Sequence, residues 1–407
     1  MHDQWWRSRA WQIVGALSVT EMASWGILYY AFSVFLVPMH DDLGWSVATL
    51  TGAYSVALLV SGLCAPSIGR WLDRHGPRAL MTGGSLLGML AMFGWSRAES
   101  VWTYYVAWIA IGAAMAATLY DPAFTTITQW FDAHRSRALL TVTVAGGFAS
   151  TIFVPLSGFL LERMEWREVI TILAIIFGVV TIPLHALVLR ARPDGPQTSS
   201  ATLPRRSLIV SAKELFQQPT FAWLTTSFVL QYFSTAATSI ALIPYLTERG
   251  DDPSFAALAT GFIGAAQVLA RLLATALGRH VSPVMFTAFV FGLQSVALVV
   301  LLTWQTHIGV FVSVLLLGMG RGVVTLMRPQ LVGDFYGRAR FGEVYGVFSL
   351  SLTIASAIAP TGLGLGYTLI GSYTPIVIAM ATLSALAVLA TLRLARCRRL
   401  DAVAVVA

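Results

Sequence analysis

The stretch Gly69-Arg70-Trp71-Leu72-Asp73-Arg74-His75-Gly76-Pro77-Arg78 joins two long apolar runs, near residues 46–69 and 79–97. Each run is long enough to cross the hydrocarbon core of a bilayer, which takes about 20 apolar residues. The glycines permit a tight reversal of the chain, and the arginines favour one side of a membrane. The stretch therefore predicts two transmembrane helices joined by a short basic loop.

The same pattern continues along the chain in both directions. Of 407 residues, 57% are apolar and 11% are charged, whereas a soluble domain has roughly 25% charged residues. This composition excludes a soluble enzyme and a disordered or fibrous chain. It predicts an all-α integral membrane protein with twelve transmembrane helices, in apolar segments near residues 11–38, 46–69, 79–97, 101–129, 138–161, 169–190, 219–247, 255–278, 284–304, 308–332, 343–366 and 375–395.

The longest polar interruption divides these segments six and six. It is rich in Pro, Ser and Thr, and we interpret residues 191–218 as a linker. The predicted domains are a six-helix bundle over 1–190 and a second one over 219–407 that ends in a short tail. A weak repeat supports this division, since residues 130–137 after the fourth segment resemble 334–340 after the tenth. Transporters often build two bundles around a midplane site by such duplication.

The placement of the basic residues predicts the orientation. Of 26 Lys and Arg residues, three lie well inside apolar segments and four on one side, at Arg97, Arg163, Arg167 and Arg249. The other 19 fall on the opposite side, which by the positive-inside rule is the cytoplasm. Both termini are therefore predicted to be cytoplasmic, with the linker. The arginines come in twos and threes between apolar segments, so the net charge of +7 does not indicate a nucleic-acid partner.

The Gly-x-x-x-Asp-Arg-x-Gly-x-Arg pattern of residues 69–78, in a six-plus-six protein, resembles the signature loop of the major facilitator superfamily. The resemblance covers essentially the whole chain. It implies two pseudo-symmetric bundles that move a small solute by alternating access, with no cofactor, and a loop that latches the closed inner gate. The latch candidates are Gly69, Asp73, Arg74, Gly76, Arg78, Arg135 and Arg137. The alternative is a solvated loop that only sets the topology.

Within that superfamily, two stretches resemble the monocarboxylate-porter and oxalate/formate-antiporter branch. One is Gln267-Val268-Leu269-Ala270-Arg271 in the eighth segment, where that branch often has Asp-x-x-x-Arg with an arginine for the substrate carboxylate. The other runs from Trp25-Gly26 through residues 32–46. Gln267 replaces the acid, so proton coupling is not expected at that position. The resemblance implies a small organic anion as substrate.

Ionisable side chains inside apolar segments cost at least a few kcal/mol each and call for a function or a partner. Five lie well inside, at Glu21, Asp121, Arg271, Arg321 and Arg328. Arginine offers bidentate donors to a carboxylate and stays charged, so we expect Arg271 and Arg321, with Gln267, to bind the anion. Glu21 or Asp121 would couple protons. The alternatives are fixed internal salt bridges and, for Arg328, a side chain that extends to the interface.

Aromatic residues suggest a second type of solute. Trp25, Tyr29 and Tyr120 lie deep in the first and fourth segments, where they could form cavity walls for a planar or apolar body. The alternative function is therefore transport of a larger aromatic or amphipathic solute, either a vitamin-like import substrate or an exported toxic compound. A ligand sensor that transports nothing is a third class, but such proteins usually have an added soluble domain, and here only the linker is available.

Taken together, these features predict a monomeric, proton-coupled secondary active transporter of the bacterial inner membrane. The near absence of lysine, with Lys213 alone, points to a GC-rich bacterial genome. The two cysteines, Cys64 and Cys397, give neither a disulfide framework nor a metal site. We see no nucleotide-binding motif, nucleophile–base set or metal-ligand spacing in the sequence, which disfavours an enzyme. The partners expected are a small-molecule substrate, protons and the lipid bilayer.

The orientation makes a testable prediction. In a background lacking Cys64 and Cys397, Ser200→Cys should react with an impermeant thiol reagent only after cells are opened. Asp251→Cys should react in intact cells, because the positive-inside rule places it outside. Labelling of the Ser200→Cys protein in intact cells would contradict the predicted topology.

Overall fold

The computed structural model describes residues 2–131, 134–190, 213–277 and 282–406. In these residues, twelve helical spans are long and apolar enough to cross a membrane. All twelve predicted segments are therefore confirmed as helices. The predicted linker lies mostly outside the described residues.

The first six helices occupy the N-terminal half of the chain, and three of them are interrupted. Their bounds are α1, His2–Ser24, Trp25–Tyr30 and Phe32–Leu43; α2, Val47–His75; α3, Pro77–Ser96; α4, Val101–Thr118 and Tyr120–Trp130; α5, Arg135–Gly147 and Ala149–Leu161; and α6, Trp166–Val188.

The other six follow Gln218. Their bounds are α7, Pro219–Glu248; α8, Pro253–Leu277; α9, Pro283–Thr303; α10, His307–Tyr336; α11, Val344–Ile370; and α12, Thr374–Val406. Helical hydrogen bonding continues from α10 into α11 without a break. The chain nevertheless reverses direction between α10 and α11. The evidence is that a guanidinium nitrogen of Arg328 lies 3.2 Å from the hydroxyl of Ser349. A straight helix would separate residues 21 apart by about 30 Å.

Polar caps and left-handed glycines set the helix ends. The hydroxyl of Ser46 accepts a hydrogen bond from the Thr49 backbone N–H at 3.1 Å at the start of α2, and Ser100 caps α4 in the same way. Such caps satisfy backbone groups that have no partner inside the helix. The reversal between α2 and α3 occurs at Gly76, where φ is +74°. The expectation of a loop from residue 69 is wrong, since α2 continues to His75 and Gly69 is helical.

The chain divides into two compact units. Unit 1 comprises Met1–Ala201 and Asp251–Gly261, and unit 2 comprises Thr202–Gly250 and Phe262–Ala407. The first turns of α8 thus belong with unit 1: the hydroxyl of Thr151 in α5 donates to the Gly261 carbonyl at 2.9 Å. Each unit has its own apolar core. Phe228, Phe291 and Phe348 pack together in unit 2.

Candidate functional site

Two glycines on one face of α10 set its contact with α8. Gly318 and Gly322 are four residues apart, so they share a face of the helix. A Cβ on Gly318 would overlap the carbonyl of Ile263, and a Cβ on Gly322 would overlap the backbone of Gln267. Small residues at this spacing let two membrane helices approach backbone to backbone. The α8–α10 pair in unit 2 is packed in this way.

This contact brings two predicted site residues to α10. The backbone of Gln267 lies against Gly322, and both Gln267 and Arg271 are buried. Nε of Arg271 donates to the carbonyl oxygen of Gly322 at 3.4 Å. The Arg271 side chain therefore lies along the backbone of α10, beside the residue that follows Arg321.

Arg321 itself is half-buried and lines a cavity inside unit 2. The cavity is narrow in this conformation: its volume is about 10 Å³, which is room for about one water molecule. The walls are largely neutral hydroxyl, amide and aliphatic groups from α7, α8, α9, α10 and α12: Ser234, Thr235, Thr238, Ser239, Ile263, Gln294, Leu298, Leu317 and Ser384. In the part of the chain that the structure describes, Arg321 makes neither a hydrogen bond nor an ion pair. Its charge is not neutralised there by a carboxylate.

A chain of neutral polar side chains borders the same cavity. The amide of Gln231 donates to the hydroxyl of Thr235 at 3.2 Å, which donates to the side-chain oxygen of Gln294 at 3.1 Å. Both glutamines are buried. Gly320 is on the opposite face of α10 from Gly318 and Gly322, and the Gln294 side chain occupies the space that a Cβ on Gly320 would fill.

The two ends of the Gln231–Thr235–Gln294 hydrogen-bond series could bind a polar ligand, which the sequence analysis did not predict. Among the described residues, Nε2 of Gln294 and Oε1 of Gln231 have no hydrogen-bond partner. Thr235 has one hydroxyl hydrogen to donate, so the chain ends in a free amide N–H₂ at one glutamine and a free carbonyl at the other. The signal in the sequence was two glutamines inside apolar segments, which membrane helices keep for a function or a helix contact.

Arg328 is bound within unit 2 rather than extended to the interface. Its guanidinium donates to the hydroxyls of Tyr232 at 3.1 Å and Ser349 at 3.2 Å. It also lies 5.1 Å from the ring centroid of Tyr232 and 5.8 Å from that of Tyr345. These contacts join α7, α10 and α11, so the suggestion that Arg328 extends to the interface is wrong.

In unit 1, Glu21 is completely buried in α1. Neither of its carboxylate oxygens has a hydrogen-bond partner among the described residues. An ionised carboxylate in that position would be costly. Glu21 and Arg321 both lack ion-pair partners in the described part of the chain, so the alternative of fixed salt bridges fails for these two residues.

The predicted aromatic residues of unit 1 meet in one cluster. The ring centroid of Trp25 is 5.1 Å from that of Tyr29 and 5.0 Å from that of Tyr120. Trp25–Tyr30 is a π-helical turn, which is rare and frequent at functional sites. Gly146 of α5 leaves room for the Tyr120 hydroxyl. The cluster begins one turn after Glu21.

Asp121 has a different environment from Glu21. α4 is interrupted at Leu119, and Asp121 lies in the first turn of the following segment, Tyr120–Trp130. Its side chain is exposed. An acid in this position is favoured by the helix dipole in its charged form, whereas Glu21 has no such compensation.

The latch candidates lie at or near helix ends of unit 1. Arg74 and Arg78 are exposed on either side of Gly76. Arg137 is also exposed, and its guanidinium lies 6.0 Å from the ring centroid of Trp11. The side chains of Asp73 and Arg135 are outside the described part of the structure, so their contacts are not assigned.

The family model of the Major Facilitator Superfamily matches residues 18–360 and again 227–402. The chain belongs to this superfamily. It is thus a multi-pass membrane protein and a transporter of small molecules rather than an enzyme, as the sequence predicted.

Similar proteins agree with this assignment. The oxalate:formate antiporter of Oxalobacter formigenes is 24% identical over 360 residues, covering 86% of this chain and 82% of the relative. Monocarboxylate transporter 13 of Rattus norvegicus is 23% identical over 394 residues, covering 88% of each. The crystal structure of the nucleoside transporter NupG superposes with a TM-score of 0.75 at 17% identity, covering 95% of this chain and 99% of that one. The suspected branch is therefore confirmed among the relatives.

The α8–α10 contact predicts a stability effect. Gly322→Ala should lower the melting temperature of the detergent-purified protein, because the added methyl overlaps the Gln267 backbone and overpacking costs about 1–3 kcal/mol. Gly346→Ala is the matched control: it is also helical, and a Cβ there meets open space. Equal melting temperatures for the two variants would contradict the close contact.

Proposed function

We propose that the protein is a secondary active transporter of a small, monocarboxylate-like organic anion, coupled to protons and working by alternating access. The observation that supports this most directly is Arg321, whose charge lines a cavity without a partner among the described residues. A guanidinium is charged at all physiological pH values. An uncompensated charge in a membrane helix is expensive, and a carboxylate supplied by the solute would relieve that cost.

Arg271 and Gln267 have a supporting role in this proposal. The α8–α10 contact holds Arg271 against the carbonyl of Gly322, one residue from Arg321. A second positive charge at this point would attract the anion, and Gln267 adds no negative charge to oppose it. The names of the oxalate:formate antiporter and the monocarboxylate transporter among the relatives indicate small carboxylates, which agrees with this chemistry.

We propose Glu21 as the proton site. A carboxyl that is buried without a hydrogen-bond partner is costly to ionise, so a proton bound there would be released only when its surroundings change. Asp121 is exposed at a helix N-terminus, where the helix dipole favours its charged form. It is the second choice. Trp25, Tyr29 and Tyr120 would then form an aromatic wall next to the proton site.

The remaining expectations stay part of the proposal. They are a bacterial inner membrane with both termini cytoplasmic, a monomer, two bundles over 1–190 and 219–407, and a latch formed by residues 69–78 with Arg135 and Arg137. The exposed positions of Arg74, Arg78 and Arg137 leave them accessible to a partner in another conformation.

Substitution of Arg321 tests the anion site. Arg321→Gln should weaken saturable binding of a monocarboxylate by tens- to thousands-fold, because loss of one charge-assisted pair in a partly dehydrated cavity costs about 2–5 kcal/mol. Arg321→Lys should recover little, since the planar fork is lost. Inhibition of counterflow in proteoliposomes by a panel of carboxylates gives the affinities.

Arg393→Gln is the matched control for this experiment. Arg393 is exposed on α12, so its loss changes the net charge of unit 2 equally without touching the cavity. If Arg321→Gln is stable and retains normal affinity for the anion, the organic-anion proposal is wrong. A larger aromatic or amphipathic solute would then be the substrate to test.

Proton coupling is tested at the two acids of unit 1. Glu21→Gln should still exchange solute across the membrane but fail to accumulate it under an imposed pH gradient, because the proton carrier is gone. Asp121→Asn and the exposed control Glu99→Gln should both still accumulate solute. Loss of accumulation in Asp121→Asn with retention in Glu21→Gln would move the proton site to Asp121.

A further inference from the structure

An apolar groove follows the outer surface of unit 1 between α1 and α6. About three turns of α1 form one wall, and the last turns of α6 form the other. Its volume is about 340 Å³, and its lining residues are Arg9, Gln12, Gly15, Ala16, Val19, Leu184, Leu187 and Val188. Leu187 is 65% exposed and Val19 is 42% exposed, so neither wall is covered by another part of the described chain.

The length of the groove matches one leaflet of a bilayer. From Arg9 to Val19, ten residues of helix rise about 15 Å, which is half of the roughly 30 Å hydrocarbon core. Beyond Arg9 and Gln12 at one end, the walls have only small or aliphatic side chains. Gly15 is in the middle of the α1 wall, and a Cβ built on it meets nothing within 4 Å.

Three arginines meet at the charged end of this groove. Arg9 lines it beside Leu187 and Val188, and Arg190 follows two residues later. Desolvation and the nearby charges of Arg78 and Arg9 lower the pKa of the Arg190 guanidinium, in agreement with the positions of Arg9 on the groove and of Arg190 two residues after Val188.

The packing of α3 against α6 explains why Arg78 belongs to this group. The ring nitrogen Nδ1 of His185 is 2.8 Å from the Ser85 hydroxyl and 3.2 Å from the Met81 carbonyl. Because α3 and α6 are antiparallel here, the residue one helical turn before Met81 lies beside the end of α6. Arg78 is at that position.

The described carboxylates do not neutralise these arginines. The ion pairs Arg163–Glu162 and Arg167–Asp42 of unit 1 include none of these three arginines. Arg190 uses one guanidinium nitrogen to donate to the carbonyls of Ala186 and Leu189. A guanidinium has five N–H groups, so donors remain for a ligand.

We propose that the groove binds one anionic phospholipid, with an acyl chain along the apolar walls and the phosphate held by Arg9, Arg78 and Arg190. Charge complementarity favours this occupant over a neutral lipid. Basic pockets between transmembrane helices are a recognised form of site for acidic head groups. A second copy of this chain is disfavoured, since it would bring three like charges to the same place.

Lipid binding to the full-length protein tests this proposal. The delipidated protein in detergent is titrated with dioleoyl phosphatidylglycerol and with dioleoyl phosphatidylcholine, and native mass spectrometry counts the bound lipids. The two lipids share their acyl chains and differ in head-group charge. We expect phosphatidylglycerol to bind at about tenfold lower concentration, and Arg9→Gln and Arg78→Gln each to remove about fivefold of that preference. Arg97→Gln, an exposed arginine outside this group, should leave it unchanged.

A second variant and a soluble probe separate the groove from the charges. A Cβ on Gly15 meets nothing within 4 Å, so Gly15→Phe should occupy the groove and weaken binding of both lipids at an unchanged melting temperature. Glycerol 3-phosphate, which has the charge without the chains, should not compete. The proposal is overturned by equal binding of the two lipids, by a preference that survives both arginine substitutions, by effective competition from glycerol 3-phosphate, or by a dimer that Gly15→Phe dissociates.

Discussion

The backbone contact between α8 and α10 is the constraint on which the arrangement of unit 2 depends. Gly318 and Gly322 allow the two helices to approach until a Cβ no longer fits. That distance lets Arg271 reach a backbone carbonyl of α10. It also fixes the rotation of α10, which leaves Arg321 on the cavity and turns Gly320 toward Gln294. The glycines at 318, 320 and 322 thus give Arg271 a backbone partner on α10 and leave the Arg321 side chain facing the cavity.

Unit 1 places its charged groups by interrupting helices. The π-helical turn of α1 begins directly after the turn that contains Glu21, and it directs Trp25 and Tyr29 toward Tyr120. The interruption of α4 creates a helix N-terminus in the membrane-spanning segment, and Asp121 lies on it. The two acids were equivalent in the sequence, but the fold gives one of them a buried, unpartnered position and the other an exposed one. This difference decides our choice of proton site.

Hydropathy alone was enough to predict all twelve helices, because a membrane-spanning helix must be apolar along its length. Periodicity does not tell which neighbour a helix face meets. For that reason the aromatic cluster and the place of Arg271 on α10 could be anticipated only in outline, and the chain from Gln231 to Gln294 was missed. Arg328 was misjudged because its proximity to the segment end suggested an interfacial side chain, whereas Tyr232 and Ser349 hold it inside the unit. The continuation of α2 past Gly69 to His75 was also missed, because a glycine in a basic stretch suggests a loop at Gly69 as readily as at Gly76.

The two ligands proposed for this protein follow from one property, an arginine without a described carboxylate partner. Arg321 is deep in an apolar helix and faces a cavity of neutral polar groups, so an anion that enters must give up most of its water. A small carboxylate is suited to that, because it accepts both donors of a guanidinium in one plane. Arg9 instead lies where an open apolar groove begins, and Arg190 follows two residues after Val188, the last lining residue of α6. An anion there can keep its water on one side, but only if its apolar part fills the groove. The depth of the arginine in the membrane therefore accounts for the difference between the two proposed ligands, a small solute in unit 2 and a lipid in unit 1.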